Sequence, residues 1–208
     1  MPSRQERINP PYDFLNPLGR FKEIPVSESP SCVILGRFKH KDVIDETIRL
    51  FEANGIKVNA PRVGNVVTED DGGYKLLDSD QGKEPWDIAK NFFNAIPESD
   101  FVYIVNPENL VGMEVAMEIG WTRGGKVPIY ATEQVEYVDQ ERKGFQPISV
   151  VSPMGMVKMV KEGVIWVDME QQGWAVSREQ RPGNTPQGED TSDRLLWEFT
   201  RRNFGKKD

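Results

Sequence analysis

Residues 100–129, DFVYIVNPENLVGMEVAMEIGWTRGGKVPI, are the stretch that most limits what this chain can fold into. Residues 101–105 are an unbroken apolar run, β-branched and aromatic, as a buried strand requires. Asn106-Pro107-Glu108-Asn109 interrupts the run with turn-forming residues. From residue 111 to 123 the spacing turns helical: Val111, Val115 and Ile119 recur every four residues, with Met117 and Trp121 beside them. Gly124-Gly125 is the expected stop, because glycine takes the left-handed cap conformation cheaply. Residues 127–130 then read as a second strand. Strand, helix and strand with short joints predict a βαβ unit, which means two parallel strands and a right-handed crossover.

Within that unit the chemistry-bearing residue is Glu118. It lies on a largely apolar helix that opens just past the C-terminal end of a strand, where open parallel sheets bind ligands. The field of the helix N-terminus fades within the first turn and does little at this position. Glu114 lies one turn earlier on the same face, so the two carboxylates repel when both are ionised. Such a pair is able to divide into a nucleophile and an acid. The alternative is a pair of solvated helix carboxylates.

Charge and residue counts remove several classes of function. A net charge of −7 argues against a nucleic-acid polymer as partner, since that needs a basic face, but leaves small nucleotides open. The one cysteine, Cys32, sits in an apolar strand, so an intrachain disulfide is excluded and a buried structural thiol is expected. The one histidine, His40, excludes a histidine metal cluster. No apolar run reaches the length of a membrane span, and MPSRQERINPPYDF lacks the apolar core of a signal peptide. A cytoplasmic setting without membrane contact is the expectation.

Taken in order, residues 1–30 are rich in proline and charge and read as an irregular arm. Residues 31–35 are a first strand, 42–54 a helix and 56–60 a second strand. Between them lies Gly36-Arg37-Phe38-Lys39-His40-Lys41. A glycine at a strand end admits close backbone approach, and three cations before a helix N-terminus favour a phosphate. Neither the dinucleotide nor the P-loop glycine spacing is present, and a solvated basic loop is the alternative. Residues 63–85 are a long connection with a hairpin between 66–68 and 74–77, expected to flank a pocket or an interface. Residues 86–96 and 153–162 read as helices, and 164–167 as the fifth strand candidate. Residues 179–189 have linker composition, and a capped amphipathic helix follows. The predicted organisation is an arm (1–30), an α/β domain (31–178), and a linker with a C-terminal helix (179–208). The domain is expected to hold a five-stranded, mainly parallel sheet with helices on both faces.

The segments SCVILGRFKH and SDFVYIVNPENLVGMEVAMEIGWTRGGKVPIY resemble the nucleoside 2-deoxyribosyltransferase superfamily over residues 31–131, about half of the chain. The matching elements are Asn106 at a strand end, Gly112 in the loop, Glu118-Ile119-Gly120 on the helix, and Gly125-Lys126-Val127-Pro128-Ile129 entering the next strand. The resemblance implies a flavodoxin-like fold and cleavage or transfer at the N-glycosidic bond of a nucleoside or nucleoside 5′-monophosphate. It implies that Glu118, rather than Glu114, is the nucleophile. Gly36, Arg37 and Phe38 would line the sugar end of the pocket, and Asn106 and Gly112 would shape it. No cofactor or metal is implied, and a homo-oligomer is expected. The resemblance also implies a base-handling aspartate, or histidine, about two turns before the central strand. That spacing falls at residues 92–94, where no carboxylate stands. Asp87 or Asn94 replaces it, or the substrate differs, or turnover is lost. Glu114 and Asp87 are the candidate acids. A nucleotide-binding or partner-binding module without turnover, and an NAD-cleaving hydrolase, are the competing readings.

Overall fold

The computed structural model describes residues 19–60, 66–69, 75–77, 85–109, 111–139, 142–146 and 148–181. Five strands form one sheet: β2 (Ser31–Gly36), β3 (Lys57–Asn59), β6 (Phe101–Val105), β7 (Ile129–Ala131) and β10 (Ser149–Val150), in the order β10-β7-β6-β2-β3. Every pairing in it is parallel. Counted along the chain from the β3 edge the order is 2-1-3-4-5, which is flavodoxin-like. The expected α/β architecture is therefore present.

Alternation along the strands explains the two layers of helix. Cys32 and Ile34 of β2, with Phe101, Tyr103 and Val105 of β6, face α1 (Lys41–Ala53) and α4 (Pro153–Lys161) in one buried cluster. Val33 and Leu35, with Val102 and Ile104, face α2 (Pro85–Glu98) and α3 (Met113–Gly124) in a second. Strands buried on both faces read as continuous apolar runs, which is why 32–35 and 101–105 carry no polar residue. Phe51 of α1 is fully buried and meets Tyr103 edge-on at 5.2 Å and Phe101 at 6.1 Å. Cys32 is buried as expected, and burial pushes its thiol pKa up.

Three expectations are corrected. Part of the supposed irregular arm is a strand, β1 (Phe21–Pro25), paired antiparallel with β11 (Val164–Asp168). That pairing removes β11 from the main sheet, where residues 164–167 were expected as the fifth strand. Ser149–Val150 fills that place instead. Prolines on either side obscure β1, but Ile24 is buried and Pro25 sits at the strand's exposed end, where a missing donor is tolerated. The cap of α3 is also displaced. Gly125 is still helical (φ −76°), and the left-handed residue is Lys126 (φ 57°). Val127 N–H donates to Thr122 O and Lys126 N–H to Arg123 O, both at 3.0 Å, the paired closure of a Schellman cap.

Because β10 is short, Ile129 of β7 pairs with Val102 of β6 on one side but has no strand partner on the β10 side. Gln172, at the end of α5 (Met169–Gln172), supplies one: its side-chain N–H donates to Ile129 O and its side-chain carbonyl accepts from Ile129 N–H, both at 2.7 Å. The hairpin expected within residues 63–85 is present as β4 (Val66–Glu69) and β5 (Lys75–Leu77), and β8 (Val135–Asp139) with β9 (Arg142–Gln146) forms another. The C-terminal helix and the linker from residue 182 onward lie outside the described residues.

Two substitutions test this packing. Phe51→Ala should cost about 3–5 kcal/mol in urea unfolding, as large-to-small changes in a closed core do. Gln172→Leu should cost about 2–4 kcal/mol, although leucine fits the volume, because it strands a buried N–H and C=O.

Candidate functional site

The connection leaving β2 enters α1 on one face of the sheet, whereas the connection leaving β6 enters α3 on the other. Helices that diverge from adjacent parallel strands leave a crevice at the strands' C-terminal ends. The walls here are residues 37–40 on one side and 106–109 with 111–112 on the other. They start side by side, because Gly36 is paired with Val105 in the ladder.

Gly36 is required by packing. A Cβ there would stand 2.9 Å from Ile44 Cδ1 and 3.0 Å from Val105 O. The close approach anticipated at this glycine is thus made by β6 and α1. Arg37 is exposed at the mouth, and Phe38 begins a 3₁₀ turn, Phe38–His40, that leads into α1. Lys39 of that turn reaches across the crevice and donates to Glu108 Oε2 at 2.5 Å, and His40 Nε2 stands 3.8 Å from the same oxygen. The Lys39 hydrogen bond is the largest of the effects that hold the Glu108 carboxyl below its usual range.

The opposite wall is anchored by Asn106, which is 1 % exposed. Its amide donates to Glu133 O at 3.1 Å, and its side-chain carbonyl accepts from Thr132 Oγ1 at 3.1 Å and Glu133 N–H at 3.2 Å. Asn106 therefore ties the end of β6 to the loop after β7. Asn109 adopts φ 61°, with its N–H on Asn106 O at 2.9 Å, and this tight turn presents Glu108. Gly112 caps α3 in an extended conformation, with open space where a side chain would project.

Glu118 is half-buried, about 8 Å along α3 from its first residue. Thr122 Oγ1 donates to its backbone carbonyl at 2.7 Å. Glu114 is in the first turn of α3 and Asp87 in the first turn of α2, but their side chains lie outside the described set. Helix α2 runs from the rim of the sheet towards its base, so Asp87 starts at the crevice end. Asn94 is exposed and lies about 10 Å further towards the base. Among the described residues, no group of three or more His, Cys, Asp or Glu is placed to hold a metal ion. No helix among them is long and apolar enough to cross a membrane.

The opposite end of the sheet is built differently. Asp100 is 2 % exposed and accepts from Ser27 N–H at 2.9 Å, Ser27 Oγ at 2.8 Å and Ser31 N–H at 2.8 Å. The Arg181 guanidinium closes the end of α2 by donating to Pro97 O at 2.7 Å and Ser99 O at 2.5 Å, and burial pulls its pKa down to about 10. A cleft of about 470 Å³ lies beside these residues, bordered by the Arg178–Glu98 ion pair. It is at the base of the sheet, away from the crevice.

Sequence reasoning singled out Arg37, Lys39 and the helix of Glu118. It took Glu108 only as a turn residue and gave Asp100 and Arg181 no role. The one available signal was a carboxylate in a turn between two apolar elements.

No family model matches the chain, and no curated protein matches it. Two solved structures are similar over part of it. One is the CMP N-glycosidase BcmB of Clostridium botulinum, at 20 % identity and TM-score 0.33, covering 48 % of this chain and 66 % of that one. The other is a conserved protein from Enterococcus faecalis V583, at 16 % identity and TM-score 0.33, covering 49 % and 62 %. The chain thus spans less than two thirds of the length of each.

Asn106→Ala should cost about 1–3 kcal/mol in chemical unfolding, since it removes the hydrogen bonds that the buried Asn106 makes to part-buried groups of residues 132 and 133. Amide exchange in residues 132–134 should rise with it. Unchanged protection there would show that another contact holds the loop.

Proposed function

We propose that the crevice binds a nucleoside or nucleoside 5′-monophosphate and that Glu118 cleaves its N-glycosidic bond. The observation that carries this reading is the placement of Glu118. It is half-buried on the helix that leaves the central strand at the strand-order reversal, within the segment that resembles the deoxyribosyltransferases. The Glu118 carboxylate attacks the anomeric carbon and forms a glycosyl ester. The C–N bond breaks, and its electron pair leaves with the base. A second group delivers a proton to the departing base, and Asp87 stands closer to the crevice end of α2 than Asn94 does. Glu114 is the other candidate acid. Water or a second base then attacks the anomeric carbon and releases Glu118, as in retaining glycosidases. Arg37 and Lys39 face the sugar and its 5′ substituent, and Gly36 and Phe38 belong to the same stretch of backbone. Asn106 acts behind the crevice by fixing its wall, and Gly112 leaves room at the start of α3.

One observation favours a binding module without turnover. The position expected to hold a base-handling carboxylate carries Asn94, which is exposed and set towards the base of the sheet.

Chromatography of free base separates these readings. The protein is incubated with ribo- and deoxyribonucleosides, their 5′-monophosphates and NAD. Release of base should fall by roughly a thousandfold or more in Glu118→Gln. Asp87→Asn should lower it by about 10²–10⁴ if that residue is the acid. Nucleotide binding without release would establish the module, and nicotinamide from NAD would point to the hydrolase reading.

A further inference from the structure

We propose that Glu108 is an internal anion: in the ligand-free protein it takes the position that a phosphate occupies over the strand-order reversal, and it gives way when phosphate binds. This rests on the crevice being a nucleotide site and names how its anion subsite is gated.

Three observations carry it. First, the carboxylate is held by groups from the other wall. Glu108 Oε2 lies 2.5 Å from Lys39 Nζ and 3.8 Å from His40 Nε2, with Arg37 adding to the same positive field. Second, the carboxylate is delivered by a turn that is itself fixed. The turn from Asn106 to Asn109 is closed by a 2.9 Å hydrogen bond, and Asn106 is anchored to residues 132–133. Third, the contact is built to exchange. Lys39 and Glu108 side chains are 49 % and 48 % exposed, so swinging Glu108 into water costs little, as for solvent-exposed ion pairs generally. A phosphate monoester brings up to two charges and three terminal oxygens to the same cations, and therefore outcompetes one carboxylate. The pair across the crevice serves as a placeholder: it keeps Lys39 oriented and sets a threshold that an anionic ligand must exceed.

The test uses inorganic phosphate, so it does not depend on turnover. Affinity is measured by calorimetry at constant ionic strength for the wild-type chain and for Glu108→Gln, Lys39→Gln and Glu162→Gln. The last removes one negative charge from the C-cap of α4 as a control for net charge. Glu108→Gln should bind phosphate more tightly, by up to about fivefold, the upper end of what a released exposed pair supplies. Lys39→Gln should bind more weakly than wild type, and Glu162→Gln should match wild type. The proposal is overturned if Glu108→Gln binds no more tightly than wild type, if neither binds, or if Glu162→Gln gains as much. Glu118-dependent base release without the Glu108 effect would sink this inference and keep the proposed reaction. The Glu108 effect without base release would do the reverse.

Discussion

Strand β6 has its five side chains at 0–1 % exposure, and they alternate between the two cores of the molecule. A one-residue slip of this strand would exchange Phe101, Tyr103 and Val105 with Val102 and Ile104 and empty both cores at once. Its register is therefore set by burial on both faces, and much else follows from it. The register brings Gly36 beside Val105, so the loops after β2 and β6 begin together. It also places the root of α3 beside the loop that carries Arg37 and Lys39, with Glu118 about 8 Å further along that helix.

The two ends of the sheet solve opposite problems. At the base, Asp100 and Arg181 are buried and their side chains are hydrogen-bonded to serines and to backbone carbonyls. Buried charges remain only where such partners are present, and removing one partner is costly, so this end is held shut. At the rim, Lys39 and Glu108 are half in water, where an ion pair contributes little to stability and exchanges readily. A parallel sheet needs both: a closed end that holds the strands and an open end whose charged groups are free to rearrange around a ligand. Asn106 lies between the two regimes. It is buried like the base residues, but its hydrogen bonds hold loops of the open end.

Local pattern carried much of the architecture. The apolar run at 101–105, the four-residue spacing of Val115 and Ile119, and the alternation of turn residues with strands all report the environment of a residue's immediate neighbours. Helices and buried strands express that environment directly, so α1, α2, α3, α4, β2 and β6 were legible to within a few residues. The stop of α3 shows the limit of such reading. Two glycines marked the right place, yet the left-handed conformation fell on Lys126, because Val127 N–H and Thr122 O fix where the last turn closes.

Partner choice is what local pattern does not encode. The sequence by itself determined an α/β chain with a βαβ centre, a cation-bearing loop after the first strand of the parallel sheet, and a glutamate on the helix after the central strand. Only the tertiary structure decided that Val164–Asp168 pairs with Phe21–Pro25 and leaves the fifth place to Ser149–Val150. Only it decided that Gln172 completes β7, and that Glu108 meets Lys39 across 69 residues of chain. The physical reason is shared. A strand, an amide or a carboxylate has the same local preferences whichever partner it finds. The partner is selected by which distant groups the folded core brings within hydrogen-bonding reach, and by which backbone groups would otherwise be buried without one.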